Sequence, residues 1–306
     1  MNSIESLKID FNSQIKYLGN LHNEKMFEEC IYVGSGDSFV AGLIVEYLTQ
    51  KCKCYSPSDL INSRLLEGKT YCFISVTGKT KANIELARRA KESGLKTVAV
   101  TANENSKLAQ VCDQLVPLNI IKVKTPTAGF RTFVANVITC LQLLGINPPN
   151  KFNIWHKKAV ELSSNLSESM TLPQDTIYVL GNNLLYPLAL YTSFQMAEFF
   201  GTTAVAHKLE EFCHSPIFGL KKSHDILILG QNEKIYSSSL EGLGLPVYYS
   251  ELYNSDGVAQ EFQSIFLVQN LMLQLADKYG ITELQYLSKE GILNTSSDII
   301  YDVDKQ

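Results

Sequence analysis

Short apolar runs alternate with longer stretches of helical period along this chain of 306 residues. "ECIYVG" (29–34), "TYCFISV" (70–76) and "KTVAVTA" (96–102) are rich in β-branched and aromatic residues and predict strands. The segments at 38–49 and 80–93 between them carry the spacing of amphipathic helices. Strand–helix alternation of this kind predicts an α/β fold of parallel βαβ units, with helices on both faces of the sheet. An apolar helix over 132–146 follows, and then the breaker "NPPN" (147–150), which reads as a linker.

After the linker the pattern restarts. "TIYVLGNNLLYPLAL" (176–190) echoes "CIYVGSGDSFVAGLI" (30–44), "DILILG" (225–230) takes the place of "YCFISV", and "LPVYYSE" (245–251) that of "KTVAVTA". "FLVQNLMLQLADKYGI" (266–281) matches the apolar helix before the linker. Residues 30–146 and 176–281 therefore read as one α/β unit used twice, with domains expected at 1–150 and 151–306.

A formal charge of −4 and a pI near 5.8 speak against a nucleic-acid partner, which needs a basic stripe. No uncharged apolar run is long enough for a membrane span. The N-terminal "MNSIESLKIDFNSQ" lacks the basic-then-apolar order of a signal peptide, so a cytoplasmic location is expected. The seven cysteines show no metal or redox spacing and read as small core residues, so no metal and no cofactor are expected. His22, His156 and His224 have no motif around them and read as surface residues.

The turn "SVTGKT" (75–80) ends like a nucleotide-binding loop. A P-loop, however, needs a glycine five residues before Gly78, and position 73 is Phe73. "GSGDSF" (34–39) fails as a dinucleotide fingerprint because Phe39 holds the place of the third glycine. What remains is a hydroxyl-rich turn in which Ser75, Thr77 and Thr80 can donate, opening a helix whose N-terminal amides favour an anion. Ser38 supplies another hydroxyl at the first unit's other strand-to-helix turn. Both turns fall at the carboxyl ends of parallel strands, where open α/β sheets bind ligands, and one phosphate monoester would suit them. Simple N-capping is the alternative that these residue types leave open.

"VGSGDSFVAG" followed by "ISVTGKT" resembles the SIS (sugar isomerase) domain, whose phosphosugar loop is written S-x-S-G-x-T. The resemblance covers roughly 30–290 and implies two SIS-type units, each a flavodoxin-like three-layer sandwich. Through "LGNNLLYPLALYTSFQMAE" (180–198) and "EEFCHSP" (210–216), the second half resembles the isomerase part of glucosamine-6-phosphate synthase and archaeal phosphoglucose/phosphomannose isomerases. The resemblance implies a sugar phosphate as ligand, held by Ser38, Ser75, Thr77 and Thr80 with Gly36 and Gly78 in the two turns. Arg131, in "TAGFRTF", stands where the archaeal isomerases carry a phosphate-binding arginine, a role its planar fork suits.

Glu198 closes a helical stretch among Met196, Phe199 and Phe200, surroundings that desolvate a carboxylate and raise its pKa toward that of a general base. The resemblance places the family's catalytic glutamate here and a histidine sixteen residues on, which is His214. In related enzymes that histidine reaches the neighbouring subunit's site, which implies a homodimer. His207 and Glu211 flank the same loop. A histidine titrates near neutrality and can open the cyclic sugar by protonating its ring oxygen. The second half has no S-x-S-G-x-T equivalent, its corresponding turn being "LGQNEKIYSSS" (229–239), so the first unit is expected to grip phosphate and the second to supply acid and base.

The sequence departs from the synthase at Gln195, where a lysine precedes the catalytic glutamate, and Lys289 is only a loose match to a second key lysine. The glutaminase portion has no counterpart, since Met1-Asn2-Ser3 stands where a nucleophilic cysteine would. The first expectation is an aldose–ketose isomerase of a hexose or hexosamine 6-phosphate; a deaminase or deglycase of amino-sugar phosphates is the second. A phosphosugar-sensing regulator is disfavoured, because some 28 residues before the first strand are too few for a helix-turn-helix domain. A sugar-phosphate-binding protein without activity is the fourth. The identity of the sugar is not written in the sequence.

Overall fold

The computed structural model describes residues 1–118, 120, 129–230, 236–252 and 257–302. Two parallel sheets form. The first has five strands, β1 (Cys30–Gly34), β2 (Lys53–Tyr55), β3 (Thr70–Ile74), β4 (Lys96–Thr101) and β5 (Gln114–Pro117), in the order β2-β1-β3-β4-β5. The second has four, β6 (Thr176–Leu180), β7 (Thr203–His207), β8 (Asp225–Leu229) and β9 (Val247–Ser250), in the order β7-β6-β8-β9. Every residue of β1, β3 and β8 is buried, as strands covered on both faces must be, and that is why they appear in the sequence as unbroken apolar runs. The α/β expectation of two helix-flanked parallel sheets holds.

By packing, the chain divides into two compact units. One contains the described residues of Lys16–Val123, Arg131–Pro149 and Glu290–Gln306, and the other those of Met1–Ile15, Lys124–Phe130 and Asn150–Lys289. The first-sheet unit buries Ile31, Val33, Tyr71, Phe73, Leu86 and Ala99 between sheet and helices. In the second-sheet unit the helix Gly257–Lys278 lies along Phe152–Ser169, where the rings of Trp155 and Phe262 stack at 5.6 Å.

In the first sheet β1 pairs with β2 on one side and β3 on the other, with Gly34 opposite Ile74. The chain order reverses between β1 and β3. The carboxyl ends of these two strands therefore form a topological switch point, the usual ligand position of an open α/β sheet. The turns that leave them are 34–38 and 75–80.

Observed helices run Asp37–Thr49, Lys81–Glu92, Phe130–Leu143 and Gly257–Lys278, the last beginning nine residues before the expected start. Strands β2, β5 and β7 were not foreseen. All three are edge strands or part-exposed, so they lack an unbroken apolar run. The surface reading of His156 and His224 is corrected. His156 is buried against Phe11 and Phe266, with ring centroids 4.2 and 5.5 Å away, and burial lowers its pKa. His224 is buried beside Tyr178 and lies 3.4 Å from Asp175 Oδ2. Only His22 of the three is exposed. Six cysteines are buried and Cys213 is exposed, all as free thiols.

Candidate functional site

In the 75–80 turn, Ser75 is buried, at 4% exposure. Its Oγ accepts the Gly78 amide at 3.2 Å and lies 3.1 Å from Thr80 Oγ1. Thr77 Oγ1 accepts the Lys79 amide at 3.3 Å. Gly78 has φ +64°, and a Cβ there would fall 2.2 Å from Ser106 Oγ, so both backbone and space demand glycine. The turn is tied to β4 by the Ala102 amide and the Thr101 hydroxyl, which both donate to the Val76 carbonyl.

Thr80 occupies the N-cap of the helix Lys81–Glu92, yet its side chain makes no capping hydrogen bond. Capping is the usual occupation of a threonine there. Here the hydroxyl turns to Ser75 instead, and the helix's first amides keep no side-chain acceptor from that residue, a setting that an anion satisfies. Asn83 Nδ2 donates to the Ile74 carbonyl at 3.0 Å and fixes the helix start against the end of β3.

The neighbouring turn leaves β1 through two glycines with different duties. A Cβ at Gly34 would fall 2.7 Å from the Ser38 carbonyl carbon, so close approach of helix to strand requires glycine. Gly36 holds φ 57° and ψ −133°, a conformation open only to glycine, and a Cβ there would meet nothing within 4 Å. Ser38 is 8% exposed and forms no side-chain hydrogen bond among the described residues. Asp37, between them, went unassigned in the sequence although it lies inside the quoted motif. It is half-buried, and burial pushes its carboxyl up to about 7.

The structure thus brings Ser38, Gly36, Ser75, Thr77, Gly78 and Thr80 to two adjacent strand ends. Arg131 belongs to the same unit, at the start of the helix Phe130–Leu143. It is buried, not at the surface as an ordinary salt-bridge arginine would be, and its guanidinium lies 4.4 Å over the Tyr17 ring. Part of its motif, 127–128, lies outside the described residues, as do 231–235 of the second unit's corresponding turn. The sequence also gave no sign of Tyr301 and Asp302. Tyr301 pairs with Thr80 in an antiparallel bridge, the Asp302 amide donates to the Lys79 carbonyl at 2.8 Å, and Lys107 Nζ stands 2.8 Å from Asp302 Oδ2. The segment after the helix Glu290–Ile300 therefore lies along the rim of the 75–80 turn.

In the second-sheet unit Glu198 sits in the last turn of the helix Leu185–Phe200. It is half-buried, less enclosed than its apolar neighbours in sequence imply, and Oε2 lies 3.5 Å from Gln195 Nε2. Gln195 is fully buried, and its Oε1 has no hydrogen-bond partner among the described residues. Lys289 also reaches this end of the helix. A Cβ on Gly201, the C-cap residue, would fall 2.8 Å from Lys289 Nζ, which sets a cation where the helix dipole favours one.

His214 ends the short helix Leu209–His214, which Asn182 anchors by accepting the Leu209 amide at 3.0 Å. The imidazole is 73% exposed and lies 3.9 Å from Glu210, an exposed pair of little energetic weight. Glu211 is exposed, while His207 is half-buried beside Tyr178 and Phe212, and burial lowers its pKa. Among the described residues no three His, Cys, Asp or Glu side chains group as a metal site, and no helix is long and apolar enough to cross a membrane.

No family profile matches the chain. It is 23% identical over 244 residues to the glutamine–fructose-6-phosphate aminotransferase (isomerizing) of Sulfurisphaera tokodaii, covering 76% of this chain and 41% of that protein. The enzyme of the same name from Bartonella quintana is 19% identical over 257 residues, 76% of this chain and 42% of the relative. The chain thus spans about two fifths of the length of these curated relatives. Among solved structures, glucosamine-6-phosphate deaminase from Thermotoga maritima superposes with a TM-score of 0.77 at 19% identity, over 92% of this chain and 96% of that one. The C-terminal domain of glucosamine-fructose-6-phosphate aminotransferase from Francisella tularensis gives 0.67 at 17% identity, over 91% and 96%. The fold is thus similar to that of the sugar-isomerase (SIS) structures, and in sequence the chain resembles the isomerase part of glucosamine-6-phosphate synthase.

Proposed function

We propose that the protein is a phosphosugar aldose–ketose isomerase acting on a hexose or hexosamine 6-phosphate. The observation that carries this reading is the turn at the switch point, where Ser75 and Thr80 face each other and the cap threonine leaves its helix amides to an anion. Ser38, Ser75, Thr77 and Thr80 hold the phosphate, with the backbone of Gly36 and Gly78 shaping the two turns and Arg131 as a further cation. Glu198 takes the proton from C2 and returns it to C1 through a cis-enediol or enediolamine, a transfer that balances within the substrate. His214 protonates the ring oxygen. Its exposure supports delivery from a second copy of the chain in a homodimer.

Release of ammonia is the second reading, favoured by a carboxylate, Asp37, beside the hydroxyl turns. Protonation at C1 of an enediolamine leaves an imine at C2, which water hydrolyses to a ketose phosphate and ammonia. The test is a panel of fructose, glucose, mannose and glucosamine 6-phosphates in D₂O, with NMR following exchange at C2 and an ammonia assay alongside. Exchange with one or more of the four is expected, and Glu198→Gln should slow it by about 10²–10⁴-fold while binding survives. Exchange that persists in that variant removes Glu198 from the chemistry, and no exchange or binding with any of the four defeats the reading.

A further inference from the structure

We propose that Asp37 reads the sugar: its carboxylate receives the ammonium of an amino-sugar phosphate, so that the first-sheet unit selects aminated over plain hexose phosphates. The inference rests on the phosphosugar reading above and narrows its substrate class.

Position comes first. Asp37 opens the helix Asp37–Thr49 between Gly36 and Ser38, at the end of β1 and beside the strand that carries the 75–80 turn. Two other aspartates of this unit are engaged locally. Asp59 accepts the Ser56 amide at 3.0 Å, and Asp113 accepts from Thr97 and pairs with Lys91. The Asp37 carboxylate has no hydrogen bond or ion pair among the described residues, and neither does the hydroxyl of Ser38, a residue more than nine-tenths buried next to it. Two adjacent polar side chains with no hydrogen bond among the described residues, beside a glycine whose missing Cβ borders open space, offer a ligand an acceptor and a donor side by side.

Charge says which part of the ligand. A carboxylate repels a phosphate dianion, so Asp37 does not serve the end held by the hydroxyls. It complements a cation, and a hydrogen bond between ammonium and carboxylate is stronger than one between neutral groups. An amino-sugar phosphate carries both charges that this region calls for. Burial weakens ionisation of Asp37, and an arriving ammonium restores it.

The experiment is calorimetric titration of the full chain carrying Glu198→Gln, with glucosamine 6-phosphate, glucose 6-phosphate and inorganic phosphate as probes. Glucosamine 6-phosphate should bind at least about 10-fold more tightly than glucose 6-phosphate. Asp37→Asn and Asp37→Ser should each bring that ratio to about 1, with inorganic phosphate still competing against both sugars. If the asparagine variant does not fold, as circular dichroism will tell, the serine variant decides, since serine also suits a helix start. Equal binding of the two sugars before Asp37 is changed, or a preference that survives both substitutions, overturns the role of Asp37 and leaves the phosphosugar reading standing. Failure of both sugar phosphates to bind the starting protein defeats both.

Discussion

The turn after β1 and the turn after β6 share one backbone device and differ in chemistry. Gly34 and Gly181 each end the approach to a helix so tightly that a Cβ would strike the residue four positions on, at 2.7 Å from the Ser38 carbonyl carbon and 2.3 Å from the Leu185 carbonyl oxygen. Two residues after each glycine the chain takes a positive φ, 57° at Gly36 and 47° at Asn183. Beyond that the likeness stops: the first turn continues with Asp37-Ser38 and the second with Leu184-Leu185. A strand-to-helix turn of this shape is thus a scaffold feature used in both units, whereas the Asp37-Ser38 pair has no match at the second. Fold and function separate at the level of single side chains.

The largest effect should come from the hydroxyls. Ser75→Ala combined with Thr77→Ala removes two donors to a charged group, each worth about 1.5–3 kcal/mol, so affinity for a phosphosugar should fall by roughly 10²-fold or more. Leu185→Ser places a hydroxyl at the matching position of the other unit and should leave phosphate affinity where it was. Titration with inorganic phosphate and glucosamine 6-phosphate checks both. An unchanged affinity in the double variant would move the phosphate away from the 75–80 turn.

The shared glycines come next. Gly34→Ala and Gly181→Ala push a methyl into backbone, a kind of overpacking that costs about 1–3 kcal/mol. Thermal unfolding should show a comparable loss in both. A loss confined to one would mean that the two turns are not the same device.

The units also differ in where they keep a carboxylate out of water. Asp37 lies half-buried at a helix start, but Glu261 is sealed in the helix Gly257–Lys278 with neither oxygen hydrogen-bonded among the described residues, and burial pushes it up to about 8. A carboxyl whose folded pKa lies above its unfolded value stabilises the fold fully below the unfolded pKa of 4.5, and this contribution is lost as pH rises to about 8, because the unfolded chain releases the proton first. Stability should therefore decline across that window with a slope of at most about 1.4 kcal/mol per pH unit from this group. Glu261→Gln should flatten the decline in denaturant melts recorded from pH 5 to 8. An identical slope in the variant would show that the carboxyl ionises freely in the folded protein.

Legibility in the sequence followed the range of the interaction involved. Strands β1, β3 and β4 could be read because burial on both faces leaves an apolar run, and the hydroxyl turn because Ser75, Thr77 and Thr80 lie within six residues. Edge strand β2, whose three residues are exposed, buried and half-buried in turn, has no such run. His156 and His224 were misplaced because Phe11 and Asp175, which enclose or pair with them, are distant in the chain. The contact of Tyr301 and Asp302 with Lys79 and Thr80 runs mostly through the backbone, which any residue can supply. Asp37 was in plain view in the motif, but that its carboxylate makes no hydrogen bond among the described residues is a tertiary fact.

The smallest expected effect bears most directly on the shared turn. Asparagine is one of the few residues with a side chain that enters the left-handed region readily, so Asn183 at φ 47° is only mildly strained. Asn183→Gly removes that strain and at the same time frees the unfolded chain, two effects of about 0.4–1 kcal/mol with opposite sign. The melting temperature should therefore stay within a degree or two of the starting protein, since about 0.5 kcal/mol moves a chain of this size little. Gly36 has no such latitude, because ψ −133° lies outside the left-handed region that asparagine can occupy. A large loss in Asn183→Gly would mean that the asparagine side chain itself holds the second turn, and the likeness between the two turns would then rest on the close-approach glycines alone.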